Sequence, residues 1–140
     1  MSVSKPHLEG MAASLGFKVE AWEENFARVS LDAGDRHLNP MGIVHGGTIL
    51  SMMDHAAGLS GLWCSVPGNR RFGVTVDLDC RFTGKTEPGR VVAEATVVSQ
   101  GRSTYFCRIE VRDADGLLVA FGSSTHRWRT GSENREGVPG

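Results

Sequence analysis

Period two dominates the second half of this chain. From Val74 to Phe82 the apolar residues Val74, Val76, Leu78, Cys80 and Phe82 alternate with Thr75, Asp77, Asp79 and Arg81. That pattern gives an extended strand one apolar and one polar face. The alternation returns in Val91, Ala93, Ala95 and Val97, and again in Tyr105, Cys107, Ile109 and Val111. Turn chemistry at Gln100-Gly101-Arg102 and Asp113-Ala114-Asp115-Gly116 separates the runs, and a last strand from Leu117 to about Trp128 completes an antiparallel meander. Earlier, Phe17, Val19 and Ala21 alternate with Lys18, Glu20 and Trp22. After a polar break at 23–25, Ala27, Val29 and Leu31 do the same, which predicts two strands or one bent strand. Residues 6–15 read as a short helix with Leu8, Met11 and Leu15 on one face, stopped by Gly16.

One stretch breaks the period. Residues 46–63 contain no proline and are apolar on nearly every side, the signature of a helix buried all round. The loops before and after it, 33–44 and 65–73, hold the clustered Gly, Pro, Asn and Asp of turns. One long helix with five to six antiparallel strands predicts an α+β layer fold, the sheet wrapped around a central helix. The polar positions Thr75, Asp77, Asp79 and Arg81 are expected on the far face of the sheet, toward solvent or another subunit.

Composition narrows the partners. A chain of 140 residues with 40% hydrophobic and 22% charged residues fits one domain, residues 1–128. The Gly/Ser/Glu-rich residues 129–140 are expected to form a disordered tail. A net charge of −1 without like-charge blocks argues against nucleic acid. No apolar run reaches membrane-spanning length, and the first residues carry no secretory apolar core. Cys64, Cys80 and Cys107 are odd in number and lack metal-ligand spacing, so free thiols in a reducing cytoplasm are expected.

The candidate chemistry sits on the helix. Gly47, Ser51, Asp54, Gly58 and Gly61 recur at spacings of four and three and share one face. The glycines alone would serve close packing, but packing needs no carboxylate, and an ionised Asp54 among apolar residues is costly unless paired. His45 stands just before the Gly46-Gly47 helix start, beside free backbone N–H groups, where it either caps the helix or faces a ligand. His55 and His126 read as buried or interface histidines.

Asn39, Gly42, His45-Gly46-Gly47 and Asp54, followed by Val74-Thr75-Val76-Asp77-Leu78, resemble the hotdog-fold acyl-CoA thioesterases of the phenylacetate-degradation (PaaI-like) group. The resemblance spans about residues 8–128. It implies Asp54 as the carboxylate that activates water or attacks the thioester, with the Gly46 N–H polarising its carbonyl. It further implies Asn39 and His45 as positioning groups and Thr75 as a hydroxyl orienting the nucleophile. It implies metal-free hydrolysis without a cofactor, and a homodimer, often a dimer of dimers. Gly47, Met53 and Phe72 are candidate substrate contacts, and Arg70, Arg71, Lys85, Arg102, Arg127 and Arg129 candidate partners for the CoA phosphates. A hotdog protein that binds acyl-CoA without turnover, or a hydratase or dehydratase, remains an alternative.

Gly46 and Asp54 lie about 12 Å apart along one helix at 1.5 Å rise per residue. They cannot both reach one carbonyl from the same helix. If both act, Gly46 of one protomer meets Asp54 of another across a two-fold axis.

Overall fold

The computed structural model describes Pro6 and residues 8–140; His7 and residues 1–5, which include part of the expected first helix, lie outside the described residues. The chain runs α1 (Gly10–Leu15), β1 (Lys18–Glu23), β2 (Phe26–Ala33), α2 (Gly46–Gly61) and β3 (Asn69–Arg70). It continues through β4 (Gly73–Leu78), β5 (Arg81–Phe82), β6 (Gly89–Gln100), β7 (Thr104–Arg112), β8 (Leu118–Trp128) and β9 (Val138–Pro139). The main sheet is antiparallel, in the order β1-β2-β6-β7-β8-β4, with β5 also paired to β8. This is the α+β hotdog architecture, with one strand more than the five to six expected because the run 74–82 divides into β4 and β5.

α2 packs on β2, β6 and β7. Ala93 and Ala95 of β6 and Ala56 and Ala57 of α2 are fully buried, so small residues on both sides bring helix and sheet together. Met52, Met53, Val91 and Ile109 fill the space around them. The carboxyl end of α2 is held by three aromatic donors. Tyr105 Oη donates to the Gly58 carbonyl, Trp22 Nε1 to Leu59 and Trp128 Nε1 to Gly61, each at 2.8 Å. These carbonyls lie in the last turn, where helix carbonyls run short of N–H partners; Leu59 also accepts from Leu62 N at 3.0 Å.

Three local expectations are corrected. Trp22, expected opposite Val19 and Ala21, reaches the helix because the register slips between Val19 and Ala21, a bulge that re-aims the residues after it. In β4 a second slip lies between Thr75 and Asp77. Thr75 therefore faces α2, and Val74 and Val76 are exposed, the reverse of the simple alternation. The strand then breaks at Asp79, whose carboxylate accepts from Ser123 N and Oγ on β8, so this polar residue clamps the sheet.

The third correction concerns residues 129–140, which fold back as β9 on β3. The Arg71 guanidinium donates to the carbonyls of Ser132, Glu133 and Trp63 at 2.9–3.1 Å and stacks 4.8 Å from the Trp128 ring. Ser132 is buried and its Oγ accepts from Phe72 N. One cation satisfying three carbonyls orders a segment whose composition alone reads as disordered.

Candidate active site

The amino end of α2 follows from its sequence. Asn39 Oδ1 accepts from Met41 N, and the Gly42 N–H donates to the Asn39 carbonyl, closing a turn in which Gly42 has φ +80°. That turn delivers His45 to the N-cap position, where Nδ1 accepts from Gly47 N at 2.8 Å. A Cβ at position 47 would stand 3.0 Å from this nitrogen, so glycine lets the ring cap its own helix. Of the two expected roles, capping or facing a ligand, the structure shows the cap: Nδ1 accepts from Gly47 N, which leaves the proton on Nε2.

Of the first N–H groups of α2, Gly47 donates to His45 Nδ1, and Thr48 and Ile49 to the His45 carbonyl. The Gly46 N–H has no acceptor among the described residues. Asn39 uses its side-chain oxygen in the turn, so its amide NH2 is free to donate. Asn39 and Gly46 line one cleft of about 400 Å³, with Phe82, Lys85 and Thr86. Phe82 lies against Gly46. Thr86 is buried, and its hydroxyl has no partner among the described residues. This wall gathers donors around the positive end of a helix, which suits a developing oxyanion.

Asp54, two turns on, lies on a different cleft of about 420 Å³ with Glu9, Met11, Phe17, Leu50, His55 and Leu78. It is half-buried, and its Oδ1 accepts from Thr75 Oγ1 at 2.6 Å. The hydroxyl holds one carboxylate oxygen, and the other has no hydrogen-bond partner among the described residues. The structure thus joins Asp54 with Thr75, and Asn39 with Gly46, and keeps the two pairs in separate clefts.

Behind Thr75 stands His126, which reads from sequence as a buried or interface histidine. His126 is buried; its Nδ1 is 3.4 Å from Thr75 Oγ1, its Nε2 is 2.8 Å from Ser124 Oγ, and its ring stacks on Tyr105 at 4.8 Å. Burial pushes its pKa below the ordinary value, against the pull of Asp54. The available signal was its inward phase on β8, two residues after Ser124. His55 packs 5.8 Å from Phe17, and burial lowers its pKa too, with Asp54 opposing.

Other expected contacts are not at either cleft. Met53 is fully buried in the core beneath α2. Arg71 holds the tail and Arg70 stacks 5.1 Å from the exposed Phe72 ring, and none of the three lines the clefts at Gly46 or Asp54. Gly47 is exposed but lines neither. Lys85, at the Gly46 cleft, is the cation that does.

Comparison with known proteins agrees with this fold. A 1,4-dihydroxy-2-naphthoyl-CoA hydrolase from Listeria monocytogenes is 24% identical over 116 residues, 83% of this chain and 93% of that protein. The structure of a variant of the phenylacetic acid degradation protein PaaI from Thermus thermophilus superposes with a TM-score of 0.72 at 28% identity, covering 84% and 96% of the two chains. The thioesterase HI1161 from Haemophilus influenzae shares the fold, with a TM-score of 0.76 at 23% identity over 84% of this chain and 81% of that one. The thioesterase superfamily model matches residues 41–120, which carry His45, the whole of α2 and the strand bearing Thr75. More than half of the sequence lies within that match, and the chain belongs to the thioesterase superfamily.

Proposed function

We propose that this protein hydrolyses the thioester of an acyl-CoA to the free acid and CoA, as a homodimer with two shared sites. The observation that carries the reading is the pairing of an unsatisfied helix-terminal N–H at Gly46 with a carboxylate, Asp54, two turns along the same helix. The thioester carbonyl accepts from Gly46 N–H, with Asn39 Nδ2 and His45 Nε2 positioned beside it. Asp54 of the partner subunit takes a proton from water as the water oxygen bonds to the carbonyl carbon, or attacks that carbon itself. The tetrahedral oxyanion collapses, the C–S bond breaks and the CoA sulfur leaves as thiolate. On the water path the thiolate takes the proton that Asp54 accepted; on the direct path water then hydrolyses the acyl–Asp54 anhydride, freeing the acid and Asp54, and the proton released goes to the thiolate. Donors fixed before the reaction are worth most where water is excluded.

Features of the single chain favour the dimer. Among the described residues β4 pairs with β8 on one side only, and its exposed Val74 and Val76 lie on that open edge. A Cβ on Gly58 would meet nothing within 4 Å, so the small-residue stripe of α2 has room for a second helix. Lys85 is the cation best placed for a CoA phosphate. The named substrates and pathway of two relatives favour an aromatic acyl group, with medium or long chains as the competing class. Three unpaired cysteines accord with a cytoplasmic location.

Free-thiol release from a panel of aryl-acetyl-, naphthoyl- and fatty acyl-CoAs tests the reading. Asp54→Asn should lower kcat at least about a hundredfold while the dimer persists in solution. Mixing Asp54→Asn chains with chains altered at Gly46 should restore part of the activity. Binding without release from any member of the panel would replace the hydrolase by a carrier.

A further inference from the structure

Thr75 Oγ1 carries one proton. At 2.6 Å from Asp54 Oδ1, a carboxylate that can only accept, that proton is given to Asp54. Thr75 Oγ1 therefore meets His126 Nδ1, at 3.4 Å, as an acceptor, so Nδ1 must carry hydrogen. In a neutral imidazole Nε2 is then bare and accepts the Ser124 hydroxyl at 2.8 Å. Each donor in the row has one direction open to it, and the row ends on the carboxylate.

We propose that His126 is a positioning residue for hydrolysis: the chain Ser124→His126→Thr75→Asp54 fixes the Thr75 hydroxyl as a donor, holding Oδ1 of Asp54 and leaving Oδ2 for water or the thioester. This rests on Asp54 being the reacting carboxylate. Burial keeps His126 neutral, which the chain needs, because an imidazolium could not accept from Ser124. The ring is fixed on both faces of its function: the stack on Tyr105 sets its plane, and Tyr105 is itself bonded to the Gly58 carbonyl of α2. Carboxylate and histidine are thus both referenced to α2. The other titratable groups facing the pair are Glu9 and His55 at the Asp54 cleft and Tyr105 and Cys107 on β7, with Arg71 further along beside Tyr105.

Nitrogen-15 imidazole spectra of the wild-type dimer at pH 8 read the tautomer directly, with the His126 signal assigned by its loss in His126→Asn. A proton on Nδ1 is expected; a proton on Nε2 overturns the chain. His126→Phe keeps the stack but removes the donor. It should lower kcat about tenfold, leave KM within about twofold, and move the acid limb of kcat upward as Asp54 loses its fixed donor. His126→Asn, with an amide N–H near the Nδ1 position, should recover most of the loss and restore the limb. Thr75→Val, an exposed change that spares the core, should match His126→Phe, and the double variant should be no worse than either. Unchanged kcat and pH limb in His126→Phe overturn the proposal, whatever Thr75→Val does, while leaving the hydrolase reading intact. A wild-type enzyme that releases no thiol overturns the hydrolase reading, and the tautomer still decides the chain.

Discussion

The ring of Tyr105 occupies the space that a side chain at Gly61 would need, its edge well inside contact distance of a Cβ built there. The ring cannot move aside easily: its hydroxyl is bonded to the Gly58 carbonyl and its faces pack on His126 and Trp128. Gly61→Ala should therefore cost about 3 kcal/mol, at the upper end of overpacking, despite the better helix propensity of alanine. Urea unfolding at fixed protein concentration measures it. A midpoint equal to wild type would show that the aromatic clamp yields.

His45 combines two tasks that substitution can separate. His45→Ala loses the cap on Gly47 and should cost about 1 kcal/mol. Asn is itself a strong N-cap, so His45→Asn should keep the melting temperature while losing the Nε2 donor. Thermal melts and thiol release on both variants check this. Full activity in His45→Asn would leave the imidazole as a cap alone.

Stability should fall on mild acidification. Burial lowers the pKa of His55 and His126 below the ordinary 6.5. The unfolded chain then binds more protons than the folded one below about pH 6.5, so stability is full above that value and declines as pH drops through it. Melting temperatures from pH 8 to 5.5 should show the decline, and His55→Gln should flatten it. A decline of unchanged slope in His55→Gln would place the uptake elsewhere.

Arg71 should matter to the tail and not to the substrate. Arg71→Ala removes two bonds to tail carbonyls, at Ser132 and Glu133, and one to Trp63. Trypsin should then cut at Arg129 and Arg135 faster, while KM for acyl-CoA stays within about twofold. A large rise in KM with the tail still protected would return Arg71 to the phosphates.

Where the chain obeys one simple period, the fold was legible. Val91, Ala93 and Ala95, and Tyr105, Cys107, Ile109 and Val111, all face the core as their alternation predicts. The proline-free apolar run became α2, ending at Gly61 instead of 63. The failures are nonlocal. The slips after Val19 and Thr75 change which face a side chain meets, yet leave the apolar–polar pattern unmarked, because Val74 and Val76 sit on an edge where apolar residues are exposed. The tail is ordered by an arginine some sixty residues away. At the candidate site, Asp54 stands out locally as a carboxylate in an apolar helix and His45-Gly46 as a helix start, whereas Asn39 and Thr75 are named only through the family resemblance. His126 reads from sequence as a buried or interface histidine, because its contact with Thr75 depends on the register pairing the two across β4 and β8.

The two ends of α2 are held very differently. Trp22, Tyr105 and Trp128 grip its last carbonyls, while its first turn is capped by an exposed imidazole, tied through Thr48 to the His37 carbonyl, and opens onto a cleft. Sequence drift should therefore be unevenly permitted. Around Phe82, Lys85 and Leu50 the lining can change size and charge without disturbing the anchor, so new acyl groups can be accepted there in small steps. Near Gly61 almost any change breaks the clamp. A protein built this way can diversify at the amino end of one helix while its carboxyl end remains nearly invariant.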